Sequence, residues 1–142
     1  MFRFPLESLL NHRRLLEEER QKELAALEAR RLEAVHHLEA LARARRRWEA
    51  EWLRTGVPTS GGLLAVGERY RKRLDREAAE VRRRLQEAQR SVEAKRRELI
   101  EAVQRRKIIE KLKEKEMQRY RASEARKERN FLGEMAVTRF RR

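Results

Sequence analysis

The side chains that could do chemistry in this chain are few and scattered. His12, His36 and His37 are the only imidazoles. Chelation of a metal needs several converging ligands, and adjacent residues on a helix diverge by about 100°. His36 and His37 therefore cannot grip one ion, and no second ligand pair completes a site. The chain has no cysteine, which excludes a thiolate zinc site and a disulfide framework. Ser60-Gly61-Gly62 lacks the Lys-Ser/Thr of a phosphate loop and reads as turn chemistry. Carboxylates abound, but general acid–base work needs one desolvated in a cleft. The expectation is no enzyme, no cofactor and no metal.

Recognition chemistry is better supplied. Trp48 and Trp52 are one helical turn apart, and Tyr70 and Leu74 repeat that spacing. Between the two pairs lies "RTGVPTSGGLLAVG", residues 54–67, with four of the five glycines and one of the two prolines. From Leu6 to Leu53 and from Glu68 to Leu132 there is neither Gly nor Pro. A chain reversal at this segment brings Trp48, Trp52, Tyr70 and Leu74 together. The four then form either a small core cluster closing the tip or a partner-binding patch, Trp and Tyr being favoured binding anchors.

The elements that position them are helices. The chain has 142 residues, 44% charged and 6% aromatic. The charged residues are mostly Arg, Glu and Lys and the apolar ones mostly Leu and Ala, a composition of long helices or coiled coils. Helix one is expected over about 5–54, opened by Pro5 in its first turn. Its apolar seam runs through Leu6, Leu9/Leu10, Leu16, Leu24, Leu27, Ala34/Val35, Leu38, Leu41, Trp48 and Trp52. Arg31 and Arg45 fall in that seam, with stems that pack on it while the guanidinium reaches water. A turn is expected over 55–62 and helix two over about 63–130. The second seam runs through Val66, Tyr70, Leu74, Ala78, Val81, Leu85, Ala88, Val92, Leu99, Ala102/Val103, Ile109 and Leu112, extended by Met117 and Tyr120 and interrupted by Lys95 and Arg106. A C-terminal tail completes the chain over 131–142, with Gly133 as the breaker. Helices of about 70 and about 100 Å are not stable with their apolar stripes uncovered. The expected fold is all-α: one coiled-coil domain over 1–142, an antiparallel two-helix hairpin. Its rival is a flexible linker between helices that pair with other chains, which the short connection disfavours.

Charge is uneven. Residues 1–55 hold 12 Lys+Arg and 10 Asp+Glu, a net of +2, whereas residues 56–142 hold 26 and 14, a net of +12. Such a basic surface suits an acidic protein groove, nucleic acid or an anionic membrane. The plainer reading of clusters such as "VRRRLQEAQR" is a solvated face with i,i+4 pairs. No apolar run approaches the roughly 18 residues of a membrane span, and "MFRFPLESLL" lacks the layout of a signal peptide. A cytoplasmic location is expected. "NFLGEMAVTRFRR" places Phe131, Leu132, Met135, Val137 and Phe140 beside arginines, as an amphipathic anchor would. The reading favoured here is the end of helix two.

The opening "FRFPLESLLNHRRLLEEERQKELAALEARR" resembles the start of the FliJ family, the flagellar export proteins of bacteria. That family begins with an aromatic–basic–aromatic run, then Leu-Glu, paired Leu, a basic residue and Glu before a long Leu/Ala helix. "RRKIIEKLKEKEMQRYRASEARKERNFLGEMAVTRF" is similar to its C-terminal half, apart from Gly133 where the family often has Asp before Glu. The resemblance implies a two-helix antiparallel coiled coil like the central stalk subunit of rotary ATPases. It implies insertion of the paired termini into the export ATPase hexamer, with Arg13, Arg14, Arg119 and Arg126 as ring contacts, and promotion of ring assembly and ATP hydrolysis. It also implies docking of Trp48, Trp52, Tyr70 and Leu74 on the membrane export gate, and binding of export chaperones. Peripheral attachment at the cytoplasmic face of the inner membrane follows through those partners. The competing functional classes are a nonspecific nucleic-acid-binding coiled coil, which a steep salt dependence would betray, and a scaffold built from two hairpins.

Overall fold

The computed structural model describes residues 1–56, 58 and 60–141. Two helices account for nearly all of them: α1, Glu7–Thr55, and α2, Gly61–Phe140. α1 has an acidic residue, Glu7, in its first turn and a basic one, Arg54, in its last, both matched to the helix dipole. It ends where Gly56 takes a φ of 80°, a left-handed conformation that glycine adopts without a Cβ penalty. Thr55 Oγ1 donates to the Glu51 carbonyl at 2.8 Å, satisfying one of the last acceptors. α2 opens with the Leu64 amide donating to the Ser60 carbonyl at 3.0 Å. Of the turn expected over 55–62, Val57 and Thr59 lie outside the described residues.

The described chain divides into two compact units, each made of a stretch of α1 and a stretch of α2. The first joins Met1–Arg20 to Leu99–Arg142. In it Glu7 pairs with Lys113 at 2.7 Å, Arg14 with Glu110 at 3.5 Å, and Glu17 with Arg106. Partner numbers fall on α2 as they rise on α1, so the segments run antiparallel. Phe4, Leu10 and Ile109 form its buried cluster, with Phe2 packed against it. Phe2 also meets Tyr120 with ring centroids 5.6 Å apart. Of the aromatic residues ahead of α1, Phe4 is thus a core side chain, and the partly buried Phe2 covers α2 at Tyr120, beyond the Glu7–Lys113 pair.

The second unit is Gln21–Glu98. Its segments are antiparallel as well, through Glu23–Lys95 at 2.6 Å, His37–Glu77 at 3.1 Å and Arg45–Asp75. Leu41, Leu74 and Val81 are buried together, flanked by Ala34, Leu38, Ala44, Tyr70 and Ala78. Small residues at Ala34, Ala44 and Ala78 let the helix backbones approach, and the large ones fill the space left.

Three expectations need correction. α2 does not stop near 130: it continues through Gly133 to Phe140, so 131–140 is helix and not a tail. A glycine inside a helix costs about 1 kcal/mol, but without a left-handed φ it is no cap, and Gly133 has none. Thr138 Oγ1 donates to the Glu134 carbonyl at 2.7 Å, inside the continuing helix. Second, the α2 seam does not begin at Val66, which is exposed; packing on α1 is seen at Gly67, under Trp52, and at Tyr70. Third, Arg31 is half-buried with its Nε enclosed, and so is Arg13, neither Nε having a hydrogen-bond partner among the described residues.

Candidate functional site

Two regions hold the residues singled out above, one in each unit. In the second unit, Trp48 and Trp52 stack obliquely, with centroids 4.6 Å apart and planes tilted by 40°. That geometry follows from their i,i+4 spacing on α1. Trp52 leans onto α2 at Gly67. A Cβ built there would collide with the indole Cζ2 and come within 3.2 Å of Cε2 and Cη2. Gly67 is therefore a slot for the ring inside a helix, and not part of the turn.

Tyr70 and Leu74 follow Gly67 at helical spacing and do a different job. Leu74 is only 6% exposed and belongs to the buried cluster with Leu41 and Val81. Tyr70 packs against that cluster and carries the Arg73 guanidinium over its ring at 5.3 Å. The four residues expected to act together thus divide. Leu74 is core, Tyr70 is the core's rim, and the tryptophan pair is likewise only partly buried.

Close to that pair in the chain, on either side of the turn, are exposed apolar side chains that the sequence reading did not assign to a patch. Leu53 is 87% exposed, and Leu63, Leu64 and Val66 are exposed too. Leu63, Leu64 and Val66 sit in the first two turns of α2. A signal for them existed: apolar residues crowded beside Gly and Pro, with no helical partner left to cover them. Large exposed apolar residues grouped with aromatic ones mark an interaction surface more often than an accident.

In the first unit, Arg13 is half-buried while Arg14, Arg119 and Arg126 are exposed. They do not cluster. Arg14 reaches Glu110 at 3.5 Å, and Arg119 and Arg126 lie about 14 and about 24 Å further along α2 than Glu110 at 1.5 Å per residue. Arg119 and Arg126, seven residues apart, fall on one face of α2.

Lys95 and Arg106 interrupt the seam with purpose. Lys95 Nζ donates to Glu23 at 2.6 Å and to Glu98 at 2.9 Å, which holds its ammonium above the usual lysine pKa. Arg106 bonds Glu17 across the helices and Glu110 on its own helix at 2.6 Å. The Arg106 hydrogen bond, with Arg14 behind it, holds the Glu110 carboxyl below the usual carboxylate range. Each pair fixes which turn of α1 faces which turn of α2, as a polar group in a coiled-coil seam does.

Some cations of the basic clusters are paired within α2, although the net +12 over 56–142 remains. Arg71 bonds Glu68, Arg83 and Arg84 bond Glu80, and Lys127 bonds Glu124, all at i,i+3 or i,i+4. That favours the solvated-face reading over a phosphate-tracking stripe. Among the described residues no group of His, Cys, Asp or Glu is arranged to hold a metal, and no helix is long and apolar enough to cross a membrane.

Comparison with known proteins adds one positive finding. The family model described as the flagellar FliJ protein matches residues 2–142. No curated protein and no solved structure matches the chain.

Proposed function

Because the chain belongs to the FliJ family of flagellar proteins, a component of the flagellar export apparatus, we propose that it is the non-enzymatic stalk of that apparatus. In this reading the unit carrying both termini enters the export ATPase hexamer, promotes its assembly and speeds ATP hydrolysis. The unit carrying the turn docks on the membrane export gate through the tryptophan pair. Export chaperones bind the same protein and are recycled through it. Attachment at the cytoplasmic face of the membrane follows from those contacts, and the nucleotide belongs to the partner.

The observation that carries the reading is the match over nearly the whole chain together with a two-helix antiparallel arrangement in each unit. Two features of the units support its division of labour. The exposed Arg14, Arg119 and Arg126 lie in one unit, and Trp48, Trp52 and the exposed Leu53, Leu63, Leu64 and Val66 lie in the other. Basic side chains suit an acidic bore, and aromatic groups suit a protein groove.

The test is the turnover of the cognate flagellar export ATPase with and without this protein. Stimulation that rises with added protein is expected. An unchanged rate, from an ATPase that is active and forms rings, would sink the stalk role.

A further inference from the structure

In the unit Gln21–Glu98 the seam of α2 repeats every seven residues. Gly67, Leu74, Val81, Ala88 and Lys95 are all buried or half-buried there. A second row keeps the same period. Arg69, Arg76, Arg83, Arg90 and Arg97 each stand two residues beyond one of those seam positions, about 200° round the helix. All five are exposed. A row that shares the period of the seam stays opposite it, as the outermost position of a coiled coil does. Gln104 ends the run.

Little within the chain answers these charges. Arg83 pairs with Glu80 at 2.8 Å. The Nε groups of Arg69 and Arg76 donate to the Ala65 and Lys72 carbonyls at 3.3 and 3.4 Å. Among the described residues no carboxylate pairs with Arg69, Arg76, Arg90 or Arg97. Solubility asks for mixed charge in any order. It does not ask for five cations at one spacing.

The spacing says what fits. Seven residues of helix rise about 10.5 Å, so the row runs about 42 Å. A second helix with a carboxylate every seventh residue keeps that step along its length. The phosphates of a duplex do not. A straight row lying along a duplex meets backbone only between grooves of about 12 and about 6 Å. Carboxylates also flank the row: Glu80 and Glu87 on one side and Glu93 on the other, each three residues from a row arginine. Beside a duplex they would face phosphate. Beside a helix they face single side chains and disfavour a partner in the wrong register. No row of this chain carries more than two carboxylates in succession at that spacing, so a second copy does not supply the complement.

We infer that the outer edge of α2 from Arg69 to Arg97 docks an acidic helix of another protein, one whose carboxylates repeat every seven residues. The row lies in the unit carrying the turn, and the stalk reading places the other unit in the ring. The inference stands independently of that reading.

Two synthetic coiled-coil dimers of five heptads test it. One has Glu at the outermost position of every heptad. In the other, three of those glutamates change places with glutamines elsewhere on the surface, so composition and net charge are equal. Labelled probes are titrated with the full-length protein at low salt and followed by anisotropy. The readout is the ratio of the two affinities, because net charge acts on both probes alike. The in-register probe binds about tenfold tighter, at about twofold for each of the three pairs. Arg76→Gln/Arg83→Gln/Arg90→Gln removes most of that ratio. Arg43→Gln/Arg46→Gln/Arg47→Gln, at exposed positions of α1 in the same unit, removes the same charge and keeps it. Unchanged helix content and tryptophan emission show that both variants fold. No binding of the in-register probe, or a ratio near one for the parent, overturns the inference. A row variant that keeps the parent's ratio overturns it too. A DNA duplex whose affinity falls with the row variant and not with the α1 variant would make the row a phosphate track, and the inference fails. Self-association of the parent that the row variant loses would make a second copy the occupant, with the same result.

Discussion

The indole of Trp52 occupies the space that a side chain at Gly67 would need. One aromatic residue near the end of α1 thereby sets how closely α2 approaches just after the turn. Gly67→Ala forces the ring to move. Overpacking costs about 1–3 kcal/mol, and the gain in helix propensity returns up to about 1 kcal/mol. A lower urea midpoint and a shifted tryptophan emission are expected. Gly133→Ala, where nothing lies within 4 Å of the new Cβ, should instead raise helix content. Equal effects at the two sites would show that the slot at Gly67 has no role.

Leu74 and Trp48 are expected to separate in mutagenesis. Leu74→Ala opens the cluster with Leu41 and Val81 and should lower unfolding free energy by about 2–5 kcal/mol. Trp48→Ala, at a partly buried position outside that cluster, should cost less stability than Leu74→Ala while weakening gate binding. Binding isotherms and urea titrations on both variants check this. A Trp48→Ala protein that unfolds as readily as Leu74→Ala would make the pair core and not contact.

The bond from Arg106 to Glu17 is a register device, and its removal should be non-additive. Glu17 is only 14% exposed at its side chain. Arg106→Leu strands that carboxylate and lowers the urea midpoint. Glu17→Leu/Arg106→Leu recovers most or all of the loss, because two packed leucines need no counter-ion. Double-mutant analysis reads the coupling directly. Purely additive losses would argue against a coupled pair.

Stability should fall at both extremes of pH for two separable reasons. The folded pKa of Glu110 is depressed. Its contribution is therefore complete above the ordinary glutamate value, about 4.3, and is lost as pH falls through the folded value. The folded pKa of Lys95 is raised. Its contribution is complete below the ordinary lysine value, about 10.4, and is lost as pH climbs through the folded value. Thermal midpoints across pH should show Glu110→Gln flattening the acid limb and Lys95→Met flattening the alkaline limb. Two variants with profiles parallel to the parent would remove both assignments.

Among the arginines of the terminal unit, Arg119→Glu/Arg126→Glu should abolish or reverse ATPase stimulation without changing the melt, since both side chains are exposed. Arg13, half-buried with its Nε enclosed, should affect stability as well. Full stimulation by the charge-reversed protein would count against insertion through these residues.

The sequence by itself determined the local facts. Uninterrupted helix formers from Leu6 to Leu53 and from Glu68 to Leu132 specify two long helices, because propensity and periodicity act within a few residues. The family was legible in the opening aromatic run and the Leu-Glu pattern after it. Only tertiary structure decided which seam residues are buried. Leu74 and Val66 look alike as members of one heptad series, and burial depends on whether α1 still has a side chain opposite. The same holds for Gly67, one more position of helix two in the sequence and a slot by packing, and for Lys95 and Arg106, whose apparent interruptions are cross-helix locks. It holds too for Gly133, where the helix continues because no left-handed conformation is imposed. Partners distant in the chain set these outcomes, and periodicity within one helix carries no record of what packs against it.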